Sequence, residues 1–347
     1  MADVQIVVTE TGVGIITLTR EKALHSLSSG MVQVIYETLQ QWKNDRSVRV
    51  IIIEGSGEKA FCAGGDIKEI YHNGSSNEGM AKSKAFLNTE YDMDRLISEY
   101  SKPIIALMDG IVMGGGVGLS YGATYRVVTE ATKWAMPETA ISFFPDIGAG
   151  YFLNQSPGHI GMYLGLTGKV IKAEDAIYIG AADFYVPSSS VKRLRDDVLK
   201  RDWSKENNVE QQVLASLALY SEAPARSELA ESSSFIEKHF SHQSLTEILK
   251  SLRGDRFQQA QDLYQTLSER SPVSLLVTFA HLLHSETFTS FSEALEFDKQ
   301  VAARFMECPD FYEGVRCLLI DKGAHPTFEF QDVDEVPTEY VRSFIEN

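Results

Sequence analysis

The sequence predicts an α/β domain followed by a mainly helical region, and three observations carry that prediction. Short β-branched runs recur through the first half, stretches of helical periodicity fall between them, and beyond about residue 190 the strand signal fades. Alternating units of this kind imply sheets covered by helices. The expected division is therefore a core over residues 1–190 and a mainly helical region over 191–347.

Taken in order, VQIVVTE and GIITLTR are two β-branched strands around Thr11-Gly12, the pattern of a hairpin. Ser28 or Ser29 then supplies an N-cap, after which Met31, Ile35, Leu39 and Trp42 recur at helical spacing. VRVIIIEG and KPIIALMDG read as buried strands, GGGVGLSYGA as a glycine-rich turn into a helix, and YRVVTE as a further strand. Later, DDVLKRDW, EQQVLASLALY and FSEALEFDKQVAARFMEC carry helical periodicity. NGSSNEG (Asn73 to Gly79) and SELAESSSF (Ser227 to Phe235) read as exposed loops, and no short-period repeat stands out.

Composition excludes several classes. With 347 residues, 44% of them hydrophobic, the chain is long enough for a large core. Its 48 acidic against 32 basic residues give a net charge of −16, which opposes attraction to phosphate backbones and anionic membranes, so neither nucleic acid nor membrane is an expected partner. Cys62, Cys308 and Cys317 are odd in number and scattered, with no CxxC pair, which fits a reducing compartment better than a disulfide framework. MADVQIVVTE lacks the features of a signal or transit peptide, so the expectation is a cytoplasmic protein, or a mitochondrial-matrix one if a leader has been removed. IIALM and SLLVTFAHLL are too short to span a bilayer.

Two segments join a preceding strand to closely spaced glycines: KAFCAGGD, Lys59 to Asp66, and VMGGGVGL, Val112 to Leu119. Glycine lets a backbone approach a ligand, and the first turn of a helix presents amide donors to negative charge. Neither segment ends in the Gly-Lys-Ser/Thr of a P-loop, and GGGVG fits the dinucleotide fingerprint poorly. Tight helix packing is the alternative role of the glycines. MPETAISFFPDIGAG, Met136 to Gly150, adds two carboxylates, Glu138 and Asp146, eight residues apart in an otherwise apolar stretch. Two amide-rich turns with nearby acids suit an oxyanion hole for acyl or enolate chemistry.

REKALHSL, KAFCAGGDIKEI, MDGIVMGGGVGL and MPETAISFFPDIGAGYFL, in that order over about residues 5–188, resemble the enoyl-CoA hydratase/isomerase (crotonase) superfamily. Together with the late segment DFYEGVRCLLIDK, they are most similar to the branch that hydrolyses 3-hydroxyisobutyryl-CoA, which extends the resemblance to nearly the whole chain. The resemblance implies a crotonase-like spiral of ββα repeats that binds acyl-CoA, with a helical C-terminal region covering the active site. It implies hydrolysis of a short 3-hydroxyacyl-CoA thioester, as in valine breakdown, with no cofactor beyond the coenzyme A of the substrate. Family relatives range from trimer-based assemblies to smaller ones, so a homo-oligomer is compatible with it.

Residue by residue, the resemblance puts the oxyanion hole on the backbone amides of Cys62 and Gly115, and substrate contacts on Ala63, Gly64, Asp66, Glu90, Gly114 and Gly115. Lys22, Leu24 and Lys68 fall beside the expected coenzyme A nucleotide, with solvated lysines as the alternative. Glu138 and Asp146 match the acidic pair of the hydrolase branch, Glu138 as general base or nucleophile and Asp146 orienting the 3-hydroxyl or the water. Their structural alternatives are a helix N-terminal carboxylate and a turn residue, after Pro137 and Pro145 respectively.

Departures also inform. Hydratases carry a second glutamate where this chain has Gly118, so water addition lacks a partner, whereas some isomerases share the eight-residue acidic spacing. Isomerisation and a non-catalytic acyl-CoA-binding protein are the competing readings. His25 stands where asparagine is usual, and Asn154-Gln155 where Pro-Arg is commoner. His281 and His284 lack an acidic or Cys partner at zinc-ligand spacing, so they read as partly buried helix histidines and no metal is expected. Arg316 is read as structural, and the cysteine of KAFCAGGD as a buried small side chain rather than a nucleophile. Phe143, Phe144, Tyr151 and Phe152 either close a small acyl pocket or are core.

Overall fold

Val4–Val8 (β1) and Val13–Leu18 (β2) pair antiparallel in the computed structural model, which describes residues 3–346; Gly12 takes the positive φ, +93°, of the hairpin turn. Val50–Gly55 (β3), Ala60–Cys62 (β4), Ile104–Met108 (β5), Ile111–Met113 (β6), Tyr125–Val128 (β7), Lys133–Ala135 (β8) and Phe184–Tyr185 (β9) follow. The larger sheet has the order β1-β2-β3-β5-β7-β9 and is parallel from β2 onward. The smaller one runs β4-β6-β8. Each strand pair β3-β4, β5-β6 and β7-β8 thus puts one strand in each sheet, and the helices between pairs provide the crossovers that parallel strands require. The result is a spiral of ββα repeats.

The chain divides into two compact units. The first comprises Met1–Asp66, Thr89–Trp134 and Ile171–Glu228; the second comprises Ile67–Asn88, Ala135–Val170 and Leu229–Asn347.

In the first unit, Val13, Ile15, Val50, Ile52, Ile105 and Leu107 of the sheet pack with Leu194, Val198, Trp203, Val213 and Leu217. Those partners belong to the helices Ser188–Lys200 and Val209–Tyr220 and the turn Trp203–Lys205. Burying each such side chain is worth about 1.5–3 kcal/mol. The helix Ser29–Asn44 starts where Ser28 accepts the Met31 amide, and it buries Met31, Val32, Ile35, Leu39 and Trp42. Both faces of the strands are therefore covered, which is why they read as continuous apolar runs.

Helices dominate the second unit. Phe143 and Phe144 pack against Phe305, and Phe143 also against Phe311, with centroid separations of 5.0, 5.4 and 5.3 Å in that order. These phenylalanines are buried, as is Phe152. The C-terminal helix Thr338–Ile345 adds Phe344 on the ring of Phe305 at 4.8 Å.

Two expected loops are mostly helical. Helices Ile67–Asn73 and Asn77–Ser98 leave only residues 74–76 between them, and Gly79 is buried. Glu228–Glu231 and Ser233–Phe240 take up most of SELAESSSF, because Leu229 and Ile236 supply buried apolar anchors that its run of serines masks. Among the described residues, no helix is long and apolar enough to cross a membrane.

Candidate active site

The two glycine segments meet within the first unit. β4 ends at Cys62 and β6 at Met113, and the helix Gly115–Tyr121 begins one residue after β6. A Cβ on Gly116 would lie 2.3 Å from the Cys62 carbonyl oxygen, and one on Gly64 would lie 3.5 Å from the Gly115 nitrogen. Helix start and strand end are thus in direct contact, and at Gly116 the approach is closed to any side chain. The first amides of a helix have no acceptor inside it, so this junction presents donors.

Glu90 joins them. It is buried on the helix Asn77–Ser98, and a Cβ on Gly115 would lie 2.1 Å from its Oε1. Cys62 is fully buried; its thiol donates to the His25 carbonyl at 3.2 Å, and burial pushes its pKa up to about 12. That is the behaviour of an inert structural thiol.

The segment before the glycines is tied to them by main chain. Ala63 N–H donates to Leu24 O, Leu27 N–H to Gly64 O and Asp66 N–H to Leu27 O, at 3.0, 2.8 and 2.8 Å. Leu24 and His25 hold φ of 51° and 58°, a left-handed pair costly to side-chain-bearing residues, and His25 Nε2 lies 2.9 Å from Ser56 O. Lys22, Leu24, Lys59 and their neighbours line a depression of about 510 Å³ that also carries Glu21 and Glu58. Asp66 forms an ion pair with Arg20 at 2.7 Å. Gly118 lies buried in the helix Gly115–Tyr121, with Ser120 donating back to Gly116 O at 2.9 Å.

Glu138 and Asp146 belong to the second unit, as does Lys68, which is exposed. Glu138 opens the 3₁₀ turn Glu138–Ile141 after Pro137 and is 7% exposed; Asp146 is 6% exposed and its carbonyl accepts the Ala149 amide at 3.0 Å. Both acids are therefore buried, unlike ordinary turn or helix-end carboxylates.

The 3₁₀ turn is held from three sides. Thr139 Oγ1 donates to Leu166 O at 3.1 Å, Ser274 Oγ donates to Phe143 O, and Gly314 of the late helix Pro309–Val315 abuts the turn so closely that a Cβ there would lie 2.3 Å from Ser142 Oγ. Ser142 and Ile147 have φ of 58° and 53°. Positive φ at a β-branched residue is an outlier of the kind that gathers at functional sites.

Arg316 sits in local ion pairs with Glu313 and Asp321, each at 2.8 Å, which supports its structural reading. The Glu313 carboxyl is held down at about 2, chiefly by its hydrogen bonds from Arg316.

The histidine reading needs correction. His281 is wholly buried and has an acidic partner, with Nε2 2.7 Å from Asp298 Oδ1, whereas His284 is exposed and stacks on Phe297. The partner is 17 residues away on the helix Phe291–Phe305, so local spacing did not reveal it. A signal was nonetheless present: Asp298 falls on the stripe Phe291, Leu295, Asp298, Ala302, Phe305, where an apolar residue is due. Among the described residues, no group of three or more His, Cys, Asp or Glu side chains could hold a metal ion.

Residues 13–345 match the family described as enoyl-CoA hydratase/isomerase. A Xenopus tropicalis protein named 3-hydroxyisobutyryl-CoA hydrolase, mitochondrial, is 40% identical over 333 residues, covering 95% of this chain and 86% of its own length. The small ribosomal subunit protein mS47 of Neurospora crassa is 36% identical over 341 residues, or 93% of this chain and 67% of its own. Among solved structures, a carnitinyl-CoA dehydratase from Mycobacterium thermoresistibile is similar with a TM-score of 0.92 at 34% identity, covering 100% of this chain and 97% of that one. The likeness extends to the whole ββα spiral and its helical continuation.

Proposed function

Since this chain belongs to the enoyl-CoA hydratase/isomerase family, we propose that it hydrolyses the thioester of a short 3-hydroxyacyl-CoA, 3-hydroxyisobutyryl-CoA first and 3-hydroxypropionyl-CoA second. One observation carries the choice of reaction: two buried acids, Glu138 and Asp146, accompany a Gly118 that offers no side chain where a hydratase needs its second glutamate. The relatives named as 3-hydroxyisobutyryl-CoA hydrolases, at 40% identity and below, support the substrate class.

In this reading the thioester oxygen accepts hydrogen bonds from the Cys62 and Gly115 amides, donors of a kind worth about 3–4 kcal/mol each as the oxygen gains charge. Ala63, Gly64, Asp66, Glu90 and Gly114 shape the surroundings of those donors, with Asp66 steadied by Arg20. Glu138 delivers attack, either by taking a proton from water or by adding to the carbonyl itself, and Asp146 orients the water or the 3-hydroxyl. The C–S bond breaks and the thiolate of coenzyme A takes up a proton; the hydroxy acid leaves directly where water attacked, or after water cleaves the mixed anhydride where Glu138 attacked, so water is the only co-reactant. Lys22, Leu24 and Lys68 are proposed to flank the coenzyme A nucleotide. In valine breakdown such a reaction releases the 3-hydroxy acid. The compartment is either cytosol or mitochondrial matrix, to be read from fractionation of cells expressing the natural transcript.

Thiol release from 3-hydroxyisobutyryl-CoA tests the reading. Release by the wild type and a loss of about 10²–10⁴-fold in Glu138→Gln are expected. Absence of release alongside an absorbance change on an enoyl-CoA would replace it by isomerisation or hydration. A second reading, a non-catalytic protein that keeps the fold, is favoured by the similarity to a protein named for the ribosome. It requires that wild type and Glu138→Gln be equally silent on acyl-CoAs and equally able to fill the cellular role.

A further inference from the structure

The feature that the proposed chemistry leaves unused is the buried pair His281 and Asp298. Both side chains are 0% exposed. Asp298 Oδ1 lies 2.7 Å from His281 Nε2, while its other oxygen, Oδ2, accepts the Gly148 N–H at 2.7 Å. One carboxylate therefore joins the helix Pro272–His284, the helix Phe291–Phe305 and the turn carrying Asp146, two residues before Gly148. His281 Nδ1 is buried with no hydrogen-bond partner among the described residues, so the ring is anchored through Nε2 on Asp298. The ring is wedged between Phe144 and Phe297, at 5.0 and 5.6 Å.

The turn itself cannot hold its shape unaided. Ile147 and Gly148 have consecutive positive φ, 53° and 80°, and such a backbone persists only where its surroundings over-determine it. A Cβ on Gly148 would lie 2.2 Å from the Phe291 ring, and one on Gly150 would lie 2.2 Å from Ser285 Oγ and 2.8 Å from His281 Cε1. The same two helices thus mould residues 148–150 by contact and fasten them by one charge-assisted bond. An ionised carboxylate is costly to bury unless it is fully hydrogen-bonded, and here the loop amide is one of its two donors.

We propose that Asp298, oriented by His281, is a positioning residue: it fixes the Asp146–Gly150 turn and so sets the place of the Asp146 carboxylate during thioester hydrolysis. This rests on the reading of Asp146 given above. Asp298 touches no reacting atom; it acts through the Gly148 amide.

The test uses the full-length chain with 3-hydroxyisobutyryl-CoA, kcat being counted per folded molecule, and compares Asp298→Ala, Asp298→Asn and Asp146→Asn. Expected is a fall in kcat of about 10–100-fold in Asp298→Ala with KM within about twofold, the scale of a small misplacement of a reacting group. Hydrogen exchange should quicken at residues 147–150. Asp298→Asn, whose carbonyl oxygen can still receive the Gly148 amide, should recover most of the rate. Wild-type kcat in Asp298→Ala, with Asp146→Asn inactive, overturns the positioning role and leaves the proposed function standing. Wild-type turnover in Asp146→Asn overturns instead the reading of Asp146 and the positioning role with it. Should Asp298→Ala not fold, the wild type decides: its Gly148 amide must exchange as slowly as core helix amides, and exchange at open-loop rates overturns the proposal.

Discussion

The glycine junction of the first unit and the acidic turns of the second are built by opposite means. At Cys62 and Gly114–Gly116 the proposed working groups are main-chain amides, so the side chains matter by being small or absent. At Glu138 and Asp146 they are carboxylates, and a surrounding shell of Thr139, Ser274, Gly314, His281 and Asp298 holds the backbone in place. The difference teaches where each half is vulnerable. The first fails when atoms are added, whereas the second fails when functional groups are removed or their supports loosened.

The sharpest break of that contrast is Gly115→Ala. Its new methyl would land on the Glu90 carboxylate, so hydrolysis should drop by about 10²-fold or more as the donor shifts. The double variant with Glu90→Ala should regain stability without regaining the rate, which thermal unfolding and thiol release would separate. Next in size is Gly148→Ala, which meets both a left-handed backbone and the Phe291 ring; a loss of about 2–3 kcal/mol in denaturant unfolding is expected.

A smaller effect concerns acid. Because the folded pKa of Glu313 is depressed to about 2, its pairing with Arg316 contributes stability that is fully present above the unfolded value near 4.5 and is lost as pH falls toward 2. Unfolding of wild type and Glu313→Gln should therefore differ by a constant amount above about pH 5 and converge below it. Smallest is Cys62→Ala: it keeps the amide, so kcat should stay within about threefold of wild type. A thiol pushed up to about 12 should also resist alkylation of the folded protein at pH 8.

The alternation of strand and helix was legible because both of its signals are local, whereas the spiral came only from the family resemblance. Ile51–Ile53 and Ile104–Leu107 are apolar without a break, and Ser28 announces its helix at a fixed offset from Met31. The glycine junction was legible for the same reason, since its two segments each carry their own turn chemistry. What escaped was long-range. Asp298 looks like one more acid on a helix until Gly148, 150 residues earlier, is found to donate to it. Gly314 looks like a weak point in DFYEGVR until the Ser142 turn is found against it. SELAESSSF was misread because serine composition outweighed two apolar anchors, a case of packing overriding propensity.

The interleaving of the two units bears on how the molecule is made. The segments of the first all precede residue 229, but the second joins residues 67–88 and 135–170 to the helices that follow residue 228, Thr338–Ile345 among them. Contacts of such sequence separation are slow to form, and apolar segments that must wait for them stay exposed meanwhile. Glu138 and Asp146 thus emerge early but acquire their supports late. A stop before Thr338 removes Phe344 from the ring of Phe305, and so one neighbour of the aromatic centre on which Phe143 and Phe144 rest. The supports of the two carboxylates thus reach along the chain as far as Gly314, well beyond the turns they hold.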